Sequence, residues 1–166
     1  PVCCCNILRL TPVYLRFTRG GVPVVFEDDY QFELGKAALL RDGQDAAIIA
    51  CGVMVGAALE AAEVLSEEGL SIRVLNMGTI KPLDEEAVVK AARDTGAIVT
   101  AEEHSIIGGL GSAVAEVLGE NHPVPMKRVG VPDVFGQSGK AGELLEHYGL
   151  SAANLARTVR EVIGRK

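Results

Sequence analysis

From Ala37 onward, apolar and polar positions alternate between two repeating patterns. Short continuous apolar runs occur at Ala37–Arg41, Ala46–Cys51, Ser71–Asn76, Ala97–Ala101 and Met126–Val129, each of strand length and bounded by turn residues. Between them lie stretches of helical spacing: Val55–Ser66 through Val55, Leu59, Ala62 and Leu65, then Asp84 to about Asp94, then Gly111–Leu118. Two shorter helical stretches, Ala141–His147 and Ser151–Ile163, close the chain. Punctuation agrees with these limits. Gly69 and Gly96 stand where helix C-termini need a left-handed residue, and Asp84 and Ser151 stand where N-caps belong.

Asp42-Gly43-Gln44-Asp45 separates the first two runs and reads as a hairpin turn. Thereafter strand and helix alternate. The expected fold is α/β, three-layered, with a five-stranded, mostly parallel sheet and one antiparallel edge strand. The residues before this block differ. Val13-Tyr-Leu-Arg-Phe17 alternates as a strand would, Gly20-Gly21 breaks it, and Glu27-Asp28-Asp29 is a polar link. Residues 1–30 therefore read as the end of another unit plus a connector, and residues 31–166 as one domain.

Charge narrows the partners. With 16 basic and 22 acidic residues the net charge is −6, and the basic ones are scattered, which disfavours nucleic acid. No apolar run is long enough to span a bilayer, and Pro1–Leu10 does not have the form of a secretory leader, so a cytoplasmic protein without membrane contact is expected. Cys3, Cys4, Cys5 and Cys51 match neither a disulfide framework nor a zinc pattern and read as reduced thiols.

Three places carry candidate chemistry. Gly108-Gly109-Leu110-Gly111-Ser112 lies between a strand and a helix, where backbone amides can hold an anion; it lacks the full dinucleotide fingerprint, so a packing turn is the competing reading. Glu102, Glu103 and His104 follow the fourth apolar run, at the end of the sheet where ligands collect in open α/β folds. They are a candidate acid–base site or a subunit interface. Arg19, at the mouth of the Val13–Phe17 stretch, is either a phosphate clamp or a solvated turn residue. His122 and His147 sit in polar, helix-end contexts. No nucleophile elbow, P-loop or HExxH appears, so the chain has no self-contained active site of those kinds.

Taken in order, Thr11–Pro23, Gly35-Lys-Ala37, Gly52–Val55, Ala58–Ala62, Val74–Met77, Ile80–Asp84, Thr100–Glu116, Arg128–Gly139 and Tyr148–Leu150 resemble the carboxy-terminal part of transketolases. Pro1–Leu10 has no counterpart in that resemblance. It implies a transketolase C-terminal domain at 31–166, preceded at 1–30 by the last strand of a pyrimidine-binding domain and a linker. It also implies an enzyme that uses thiamine diphosphate and Mg2+ to move two-carbon ketol units between sugar phosphates. The Gly-Asp-Gly motif that holds that cofactor is absent here, so neither cofactor nor metal is expected on this chain, and the chain alone is expected to be inactive. Implied partners are the amino-terminal thiamine diphosphate-binding half, a second copy in a homodimer, and the sugar phosphate. Arg19, followed by Gly20-Gly-Val22 and Pro23, matches the arginine that binds substrate phosphate.

Two sister families share parts of these motifs. Deoxyxylulose-phosphate synthases usually carry an arginine where Gly78 stands, and dehydrogenase E1 β-subunits differ at Phe135–Gly139 and Tyr148–Leu150. A non-catalytic interaction module is the reading from another class.

Overall fold

The computed structural model describes residues 12–18 and 20–166. Five strands make one sheet: β1 (Ala38–Arg41), β2 (Ala46–Ala50), β3 (Ile72–Asn76), β4 (Ile98–Ser105) and β5 (Met126–Val131). Five helices connect and follow them: α1 (Met54–Glu67), α2 (Glu85–Thr95), α3 (Leu110–Asn121), α4 (Ala141–His147) and α5 (Ala152–Ile163). The strand order is β1-β3-β2-β4-β5, parallel except for β1, which runs antiparallel to β3 at the edge.

Strand periodicity divides the core into two. Ala46, Ile48 and Ala50 point to one face and pack with Ala58, Leu65, Leu155 and Val159 of α1 and α5. Ala47 and Ile49 point to the other and pack with Val88, Ala91, Leu110 and Val114 of α2 and α3. All five residues of β2 are fully buried, as expected of a central strand covered on both sides.

The hairpin expectation for the first two strands does not hold. β1 pairs with β3, and the turn at 42–45 carries the chain across the start of β3 before β2 begins. Gln44 and Asp45 N–H both donate to the Ser71 carbonyl, at 3.0 and 2.8 Å. A side chain at Gly43 would overlap the backbone of Ile72 and Arg73. Close approach, not turn geometry, requires this glycine. The underlying reason is that β2 fills both its edges with longer parallel ladders to β3 and β4, leaving β1 only the far edge of β3.

Helix ends follow local chemistry. Asp84 caps α2 by accepting from Ala87 N–H at 3.1 Å, and its second oxygen accepts from Ala37 N–H at 2.9 Å. One carboxylate thus starts a helix and pins the entry to β1. Gly96 closes α2 in the left-handed conformation, φ 67°, with its N–H on Ala92 O. Ser151 occupies the N-cap position of α5, although its side chain makes no cap hydrogen bond.

Val13–Phe17 forms no strand. Among the described residues no strand pairs with it, so its alternating pattern has no ladder to join there. Tyr14, Phe17 and Val24 are largely exposed, and only from Val25 does the segment reach the core.

Candidate functional site

Doubly wound sheets bind ligands beyond the carboxyl ends of their strands, where the strand order reverses. Here β2 leads to β3 on one side and β3 leads to β4 on the other, so the reversal falls between β2 and β4. Cys51-Gly52 follows β2 at this point, and β4 ends in Glu102, Glu103, His104 and Ser105. The strand is longer than its apolar run: the three candidate residues lie within it, not beyond it.

Glu102 is 1% exposed, and both its oxygens are engaged. Oε2 accepts from Leu110 N–H at 2.8 Å, and Oε1 from Gly111 N–H at 2.7 Å. These are free amides of the α3 N-terminus, and a carboxylate there also meets the positive end of the helix dipole. The glycine turn therefore does hold an anion, and the anion is the chain's own. A Cβ at Gly109 would overlap Glu102 Oε2, and one at Gly111 would come within 2.8 Å of Thr100 Oγ1 and the Arg128 stem. The Arg128 guanidinium donates to the Ile106 carbonyl at 2.7 Å, locking the turn from β5. Glycine at 109 and 111 is required by this packing.

His104 is exposed, and its Nδ1 lies 3.0 Å from the Ser105 carbonyl. No hydrogen bond joins it to Glu102, whose oxygens the amides already occupy, so the pair is not an acid–base couple in this geometry. Glu103 faces the other way. Its carbonyl accepts from Arg16 Nη2 at 2.9 Å, and its carboxylate lies 3.7 Å from the same nitrogen. Sequence reasoning gave Arg16 no role; its position three residues before Arg19 was the available signal.

Cys51 sits close to both charges. Burial pushes its thiol up to about 11 and the Glu102 carboxylate adds to this, while Arg16 pulls weakly the other way. The thiol stays protonated near neutral pH and is a poor nucleophile. Cys3, Cys4, Cys5 and Arg19 lie outside the described residues. His122 and His147 are at helix ends, and His147 Nε2 lies 3.2 Å from Gln137 Nε2.

Among the described residues, no group of three His, Cys, Asp or Glu side chains is placed to hold a metal ion. Of the two helices that start at the reversal point, α3 has its N-terminal amides taken by Glu102, while α1 begins after Cys51-Gly52 with no side-chain cap. No helix is long and apolar enough to cross a membrane.

Fold and crevice together define a three-layer α/β domain in which Glu102 occupies the α3 N-terminus at the carboxyl end of the sheet. The chain belongs to the transketolase C-terminal domain family, whose family model, "Transketolase, C-terminal domain", matches residues 35–155. It is 52% identical over 155 residues to the 6-deoxy-6-sulfo-D-fructose transketolase subunit SqwH of Clostridium sp. (strain MSTE9), covering 93% of this chain and 48% of that protein. It is 48% identical to an apulose-4-phosphate transketolase subunit of Phocaeicola vulgatus, covering 92% of this chain and 49% of that one. A 1-deoxy-D-xylulose-5-phosphate synthase of Heliobacterium modesticaldum is 45% identical over 91% of this chain and 24% of its own length. Among solved structures, a split gene transketolase described as an inactive β4 tetramer superposes with a TM-score of 0.85 at 52% identity, covering 88% of this chain and 48% of that one. The chain spans about half the length of the transketolase subunits it matches.

Proposed function

We propose that this chain supplies the carboxy-terminal part of a thiamine diphosphate-dependent transketolase and acts only with the half that carries the cofactor. In this reading residues 1–30 belong to the preceding pyrimidine-binding domain and its linker, and residues 31–166 are the C-terminal domain. Thiamine diphosphate and Mg2+ bind the partner half, and the complete enzyme is a cytoplasmic homodimer. Arg19 contributes the cation that receives the phosphate of the sugar substrate, as a guanidinium is suited to do. Glu103 and His104 face solvent at the rim, where subunit contact is their natural use.

The observation that carries this reading is the likeness to transketolase subunits of about twice this length, together with the family match over residues 35–155. The amides of the α3 start, taken by Glu102, are not free for a cofactor phosphate, which agrees with this reading. The test is ketol transfer from xylulose 5-phosphate to ribose 5-phosphate with thiamine diphosphate and Mg2+. It is run on this chain alone and with a thiamine-binding half supplied. Activity in the mixture only is expected; activity of the chain alone would overturn the reading.

A synthase of the deoxyxylulose-phosphate type is the second reading, favoured by the 45% identity noted above. Gly78 weighs against it. A Cβ at that position would lie 3.3 Å from the Phe32 ring, so the arginine usual in synthases meets Phe32 here. Condensation of pyruvate with glyceraldehyde 3-phosphate by the reconstituted complex, in place of ketol transfer, would select the synthase.

A further inference from the structure

We infer that the cleft between β5 and α5 binds a small phosphate monoester, held by Lys127, Arg157 and the Tyr148 hydroxyl.

β5 is the last strand of the sheet, so one edge of its backbone has no ladder partner. Its Val129 packs with Leu155 and Val159 of α5. Along that edge, bounded by α5, Tyr148 and the turn at Ile106, runs a cleft of about 390 Å³, a size suited to a small metabolite. Lys127, Arg128 and Arg157 line it together with a single carboxylate, Glu161. Three cations against one anion leave an excess of positive charge here, in a chain whose net charge is −6. A phosphate monoester carries a charge of about −1.5 to −2 near neutral pH, which matches that excess.

The donors are held in place by the domain itself. Arg157 Nη1 donates to Glu161 Oε1 at 2.8 Å, and its Nη2 donates to Asn154 Oδ1. Asn154 in turn donates to the Gly149 carbonyl at 2.7 Å, which ties Arg157 to the turn after Tyr148. Lys127 Nζ donates to the same Glu161, so two cations share one carboxylate and both keep further N–H groups. Arg128 donates to a neutral partner, the Ile106 carbonyl. Tyr148 supplies an independent sign. Its hydroxyl is buried and has no hydrogen-bond partner among the described residues. Buried tyrosine hydroxyls are ordinarily paired, and phenylalanine would fill the same apolar space without that cost. A phosphate oxygen in the cleft gives this hydroxyl its acceptor and the shared cations their second anion.

The test is a titration of the full chain with inorganic phosphate and with glycerol 3-phosphate, followed by amide chemical shifts at constant ionic strength. Saturable shifts at residues 127–131 and 154–158 are expected, with glycerol 3-phosphate bound at least as tightly as phosphate. Tyr148→Phe is expected to weaken binding about tenfold while leaving the melting temperature equal or higher, a combination that a packing role would not give. Arg157→Met should weaken binding at least as much; if that variant does not fold, Tyr148→Phe decides. Glu161→Gln releases both cations and should tighten binding about threefold. Lys90→Met removes a cation paired with Asp94 on α2 and should change nothing. Absence of saturation, shifts spread evenly over the basic residues, or unchanged affinity in Tyr148→Phe and Glu161→Gln would overturn the site.

Discussion

Residues 35–166 and the segment at 12–34 are made of similar residues and behave differently. In the domain, Ile48, Ile49 and Ile98 are completely buried. In the segment, Phe17 is 69% exposed and Tyr14 88%, although Val13–Phe17 has a regular strand pattern. Apolar character by itself does not bury a side chain; a facing surface does. Inside the domain every strand has a neighbour and every sheet face has a helix layer. Among its described residues the segment has neither, and its contacts with the domain include the exposed Arg16 on Glu103, Pro23 over Gly56, the Phe32 ring beside Gly78 and the partly buried Val25. In the relatives of twice this length, more chain is available to face it.

The contrast predicts where substitutions matter. The largest loss is expected at Glu102. Glu102→Ala strips two helix amides of a buried charged acceptor and should cost about 3 kcal/mol or more, read from urea unfolding. A loss below about 1 kcal/mol would mean that the α3 start is held chiefly by packing. Next comes Asp84→Ala, which removes the α2 cap and the tie to Ala37 N–H. A cost of about 1–2 kcal/mol is expected, with hydrogen exchange faster at β1 than at β4.

A smaller, pH-dependent effect belongs to the buried Arg73 on β3, which pairs with Asp42 and Asp94 at 2.8 and 2.7 Å. The Gly43 N–H bond, then Arg73, holds the Asp42 carboxyl below its ordinary value; Lys90, then Arg73, does so for Asp94. Both groups have depressed folded pKa values. Their contribution is therefore complete above the unfolded aspartate pKa of about 3.9 and lost as pH falls through the lower folded values. Urea midpoints measured from pH 6 down to pH 3 should fall less steeply in Arg73→Met than in the wild type. An unchanged slope would show that other carboxylates dominate acid unfolding.

The smallest effect is predicted in the segment. Phe17→Ser should change the stability of this chain by less than about 0.5 kcal/mol, because Phe17 packs against little. A larger loss would break the comparison, since it would show that the segment is folded onto the domain as firmly as the domain's own strands.

Much of the domain was legible in the sequence, because helix periodicity, caps and glycine stops act over a few residues. Five strands, five helices, the Asp84 cap and the Gly96 stop follow from local geometry alone, and one antiparallel edge strand was expected and is present. The strand pattern at Val13–Phe17 was equally local and did not produce a strand, since pairing needs a second strand that a pattern cannot supply.

Three features were decided only by the tertiary structure, and each depends on groups far apart in the chain. The partner of β1 is β3, which arrives after α1; the apolar run at Ala38–Arg41 suits either neighbour, and the choice belongs to the better-covered β2. Glu102 and the Gly109–Gly111 turn were visible as two separate candidates for chemistry. Their union into a filled anion site requires the chain to turn back after β4 so that α3 begins against that carboxylate. Arg16 has no distinguishing local pattern, yet it meets Glu103 because the segment crosses the end of the sheet. Sequence determined what each short stretch prefers to be. Which stretches meet was set by burial and hydrogen-bond satisfaction over the whole domain, and those long-range contacts put Glu102 on the α3 amides.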